Sequence, residues 1–137
     1  MSDALIRAAF ETRLAAWAAA QTPPIPVSFQ NVTFTPPNGR YVRCWLLPAP
    51  TQSRGIGGTD RERKGIVQID LCLPIGTGSK MAADIAASLD AAFPLTGPMA
   101  QGGIEVWMTS SLSAAAPIEG PTHYTVPVSG SYLSHTV

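Results

Sequence analysis

The run IVQIDLCLP, Ile66 to Pro74, limits what this chain can become more than any other stretch. Its apolar residues recur with period two, and a strand places successive side chains on opposite faces. Val67, Ile69, Leu71 and Leu73 therefore share one face, directed inward, with Gln68 and Asp70 directed outward. The segment YVRCWLLP repeats the pattern, with Val42, Cys44 and Leu46 on one face and Arg43, Trp45 and Leu47 on the other. Apolar residues on both faces of that second strand predict that part of its second face is also covered. The two strands are expected to pair as an antiparallel hairpin.

Between them lies APTQSRGIGGTDRERKG, rich in glycine and charge. It reads as a long flexible loop at about residues 51–64, and such a loop without structure of its own is usually functional or disordered. Its basic residues are Arg54, Arg61, Arg63 and Lys64, offset by Asp60 and Glu62.

Two stretches have helical periodicity instead. In SDALIRAAFETRLAAWAAAQ, Ile6, Phe10, Leu14 and Trp17 recur at spacings of four, four and three, which is one face of a helix. Ser2 or Asp3 can cap its start, and TPPIP ends it by removing backbone donors. From about Ser79 to Phe93 a second helix has a stripe of Met81, Ile85, Leu89 and Phe93, and Pro94 stops it. The segment VSFQNVTF is short and extended, and PPNG after it is a turn. IEVWMTS and HYTVPVSGSYL are further strands, and Pro127 predicts that the last is an edge or bulged strand. The order α-β-β-β-α-β-β predicts an α+β fold in one domain, residues 1–137: a mostly antiparallel or mixed sheet with two helices packed on one face.

Composition narrows the function classes. The net charge is zero, with nine basic and nine acidic residues, so no global basic field draws nucleic acid or an anionic membrane. No apolar run reaches the roughly 18 residues of a membrane span. The N-terminus has no basic-then-apolar leader pattern, which predicts that the protein is not secreted. Two cysteines, Cys44 and Cys72, are too few for a disulfide framework and read as reduced core residues of a cytoplasmically folded protein. Charged residues make up 13%, against roughly 25% in ordinary soluble domains, which hints that partners cover part of the surface.

The strand-turn-helix order of LCLPIGTGSKMAADIAASL resembles a phosphate cradle, but the match fails in detail. A P-loop needs Gly-Lys followed by Ser or Thr for magnesium, whereas Lys80 follows Ser79 and precedes Met81. Gly76 and Gly78 supply a lone G-x-G, with Met81 where a dinucleotide fingerprint requires its third glycine. His123 and His135 lack ligand spacing, the cysteines sit mid-strand, and no G-x-S-x-G elbow occurs. No two of the carboxylates stand out as an acid–base pair. No cofactor or metal and no enzyme activity is expected; a small nucleotide-binding cytoplasmic enzyme using the Gly76–Lys80 turn is the alternative from a different class.

The succession IRAAFETRLAAW, PPIPVSFQNVTFTPPNGRYVRCWLLPA, RKGIVQIDLCLPIGTG, the alanine-rich second helix and YTVPVSGSYL resembles the tail-terminator-like minor proteins of long-tailed bacteriophages across nearly the whole chain. That resemblance implies a structural virion protein, assembled in the host bacterial cytoplasm into the tail. Such proteins are small α+β domains that form a hexameric ring on the last ring of tail-tube protein, stop polymerisation and meet the head–tail connector. Another neck or tail-completion protein is the nearest alternative. The resemblance carries over no catalytic residues and no contact residue. The residues themselves nominate Trp45 and Trp107, on the less apolar faces of their strands, as subunit contacts. The loop's Arg54, Arg61, Arg63 and Lys64 are candidates for touching the tube or a lumen that DNA crosses, ordering on docking.

Overall fold

The computed structural model describes residues 2–30, 32–49, 52–54, 60–76, 79–95 and 97–136. Among them are two helices, α1 (Ser2–Ala19) and α2 (Ser79–Ala92), and a nine-stranded mixed sheet. The strands are β1 (Val27–Phe29), β2 (Tyr41–Pro48), β3 (Gln52–Arg54), β4 (Asp60–Pro74), β5 (Met99–Gln101), β6 (Ile104–Met108), β7 (Ser113–Ala114), β8 (Ile118–Glu119) and β9 (His123–Thr136). The main path runs β1-β2-β4-β9-β6-β5, while β3 pairs with β4 and both β7 and β8 pair with β9. Only β1 and β2 are parallel to each other. The expected α+β architecture is the one observed.

The hairpin read from alternation is present in register, from Tyr41↔Cys72 to Pro48↔Gly65. Val42, Cys44, Leu46, Val67, Ile69, Leu71 and Leu73 face the core with Val126, Val128 and Tyr132 of β9. Both helices pack on this side of the sheet. Ile6, Phe10, Leu14 and Trp17 of α1 are all buried, as their spacing predicts. The Phe10 ring lies 5.8 Å from Phe93 and 5.3 Å from Tyr132, so one aromatic cluster joins α1, the end of α2 and the sheet. Trp17 Nε1–H donates to Ser88 Oγ at 3.0 Å, and Arg13 donates to the carbonyl of Ala92 at 3.1 Å, satisfying an acceptor that the helix end leaves open.

Four sequence expectations need correction. The stripe of α2 begins at Ala82, which is buried, rather than Met81, which is 38% exposed. Ala82, Ile85, Leu89 and Phe93 follow spacings of three, four and four, which also describe one helical face. The strand β9 is central, flanked by β4 on one side and by β6, β7 and β8 on the other. Pro127 is tolerated there because its carbonyl accepts from Ala115 N–H at 2.8 Å, so its missing N–H points into the unpaired gap between β7 and β8. Asp70 is not outward in the sense of solvated: it is buried, and Gln68 Nε2 donates to it at 3.0 Å. Finally, the expected loop is largely strand. Gln52–Arg54 pairs with Asp60–Glu62, and β4 runs without interruption from Asp60.

Candidate functional site

The face of the sheet turned away from the helices concentrates the features a partner would read. On its register lie Trp45 and Leu47 of β2, Ile66 and Gln68 of β4, Ser131 and Leu133 of β9, and Trp107 of β6. Leu47 and Ile66 are direct cross-strand partners, and each is exposed, at 47% and 43%. Trp45 stands one step along the same face, half-buried, with the Arg43 guanidinium 5.2 Å from its ring centre. That placement is a cation–π contact. At the other end Lys64, exposed, pairs in register with Leu133, which pairs with Trp107. The two tryptophans are thus on one face but not in contact. Three strand spacings and a four-residue offset put them about 20 Å apart. Leu47, Ile66 and Leu133 fill the interval as a band of apolar side chains, with Glu105 beyond Trp107.

The Tyr41 end of this face is covered by the chain itself. Tyr41, Cys72 and Thr125 share a cross-strand row, and the Tyr41 ring contacts Phe34 at 5.5 Å and His123 at 5.3 Å. The imidazole of His123 is also 2.9 Å from the Gly39 carbonyl, tying the turn after β1 to β9. This is the second-face cover that the apolar residues of β2 predict, and it ends before Leu47.

The edge of β2 beside this band is guarded against strand addition. Beyond Cys44, where β1 stops pairing, Leu46 N–H is taken by Gln30 Oε1 at 3.3 Å, and Pro48 has no N–H to offer. A partner here meets side chains rather than an open backbone ladder.

The four basic candidates fall on β3 and the first part of β4. Arg54 is in register with Asp60, and Arg61 with Ser53. Arg63 and Lys64 are adjacent on β4, so these two cations take opposite faces of the sheet. Lys64 belongs with the tryptophan band. Residues 55–59 lie outside the described residues.

Sequence reading missed Ile66 as a surface residue because the alternation was counted from Val67. Ile66 stands on the polar register of its strand, and that was the available signal. It also missed the exposed ribbon of β7, β8 and the residues between them, where SAAAPIE looks like linker. Ser113 through Glu119 are all exposed, Ile118 at 62%.

Groups that carry chemistry elsewhere are muted here. Both thiols are free and buried, and burial pushes Cys44 up to about 12 and raises Cys72 as well. Thiols raised above their ordinary value by burial are protonated at neutral pH and are poor nucleophiles. In the Gly-rich turn Gly76 has φ of +94°, while Thr77 and Gly78 lie outside the described residues. Lys80 pairs with Asp84 of its own helix at 2.8 Å. Among the described residues no three His, Cys, Asp or Glu side chains gather as a metal site, and no helix is long and apolar enough to cross a membrane.

Comparison with known proteins decides the family. The family model described as Phage tail terminator protein matches residues 5–132. The chain belongs to the phage tail terminator family. A solved structure 45% identical in sequence superposes with a TM-score of 0.83, covering 98% of this chain and 96% of that one. No curated protein matches. Membership places this terminator-family chain among the structural components of a phage tail.

Proposed function

We propose that this protein caps the tail tube as a closed ring of identical copies, six as the family resemblance implies, ending tube polymerisation and presenting a surface to the head–tail connector. The observation that carries the proposal is the uncovered apolar band between Trp45 and Trp107 on an otherwise finished domain. Burial of apolar area contributes roughly 25 cal/mol per Å², and a ring contact is where such a band gains that stabilisation. Aromatic side chains at the core of a contact, with charge at the rim, is the usual composition of an interface.

The arm of β3 and the start of β4 is the proposed contact with the tube or its lumen, through Arg54, Arg61 and Arg63. With cations divided between faces and offset by Asp60 and Glu62, any contact with transiting DNA is weak, independent of sequence and sensitive to salt. The work is done by fit alone, with no bond made or broken.

Sedimentation of the protein with purified tube protein tests this reading. A discrete multi-subunit species that co-sediments with tube ends supports it. A chain that neither self-associates nor binds tubes at high concentration contradicts it.

A further inference from the structure

We propose that the Trp45–Leu47–Ile66 end of the apolar band is the seat for the exposed ribbon Ser113–Glu119 of a second copy, with Ile118 as the inserted side chain. This rests on the reading that copies of the chain assemble on one another, and names the two surfaces that meet.

Three observations carry it. The first is that Ile118 cannot reach the Leu47–Ile66 pair of its own chain. Ile118 is level with Thr125 and Ile66 with Ser131, six residues apart along β9. With β9 between them, that separation is about 22 Å. The second is composition. Ala114, Ala115, Ala116, Pro117 and Ile118 form an uncharged exposed run, the complement of an exposed Leu–Ile pair beside a tryptophan. The third is charge. The seat is flanked by Arg43 and Lys64, and the ribbon ends in Glu119. Lys64 and Glu119 are both exposed, and neither has an ion-pair partner among the described residues. An apolar run ending in a carboxylate fits an apolar seat with a cationic rim. Different surfaces on the two partners make the contact heterologous, the kind that closes into a ring when its rotation permits.

Photo-crosslinking tests the contact directly. Ile118 is replaced by benzoyl-phenylalanine, and the variant is mixed with isotopically labelled wild-type protein, alone at high concentration and with tube protein. Illumination is expected to join position 118 to labelled tryptic peptides Cys44–Arg54 and Gly65–Lys80. Glu119→Lys should lower that yield about fivefold, and Lys64→Glu in the labelled partner should restore it. Crosslinks to another surface, or none while multi-subunit species form, overturn the seat and leave the ring reading standing. Absence of any association overturns both. A dimer that grows no larger, crosslinked at the predicted peptides, supports the seat and contradicts the ring.

Discussion

At the residue scale, close packing explains choices that look arbitrary in the sequence. Gly65 sits where an added Cβ would stand 2.6 Å from the Leu47 carbonyl oxygen and 2.7 Å from the Tyr132 hydroxyl. Neither obstacle is the free end of a flexible chain, so Gly65→Ala should cost about 1–3 kcal/mol, measured as a lowered denaturation midpoint. The cysteines give a pH prediction with a definite sign. Burial raises the Cys44 thiol from the ordinary 9.0 to about 12, so between those values the unfolded chain releases a proton that the folded chain keeps. The Cys44 contribution to stability is therefore fully present below pH 9 and is lost as pH rises towards 12. Melting curves across that range should show a decline that Cys44→Ala weakens. A flat profile would mean that the thiol is solvated.

At the element scale, period proved a better guide than boundary. The stripe of α1 and the faces of β2 were legible because buried apolar residues repeat with the geometry of the element itself. The first turn of α2 was misread because Met81 and Ala82 are adjacent, and size favoured the wrong one. Packing chose the small residue. Pro127 was misread for a subtler reason: proline argues against a central strand only where its missing donor faces a neighbour, and the neighbour here is interrupted at Ala115–Pro117. The expected loop concealed β3 because no alternation of apolar residues marks a charged arm. The two helices are tied by Trp17 to Ser88, so Ser88→Ala should cost about 1–3 kcal/mol by leaving a half-sequestered indole N–H unpaired. Thermal unfolding of Ser88→Ala beside wild type checks this. Equal midpoints would show that solvent replaces the bond.

At the scale of the whole molecule, the β3–β4 arm and the apolar band have separable proposed roles. Trp45 and Trp107 could be nominated from sequence because they stand on the less apolar faces of their strands. Their connection through Leu47, Ile66 and Leu133 could not, since it depends on the order β2-β4-β9-β6, which no local pattern encodes. Changing Arg54, Arg61 and Arg63 together to serine should shift stability by less than about 0.5 kcal/mol per site while impairing tail-length control or head joining. Head-competent tails of normal length from that triple variant would remove the arm from the mechanism. Conversely, Leu47→Glu with Ile66→Glu should leave a folded monomer that no longer assembles, because both side chains are already exposed to water in the single copy.

The proposed ending of tail growth by surface fit alone is tested most directly by the length distribution of tails. Electron micrographs of tails assembled with the protein should show a single sharp length. Tails assembled in its absence should show tubes of uncontrolled length, restored by the wild-type chain and not by the Leu47→Glu/Ile66→Glu variant. Tails of normal length without the protein would contradict the account.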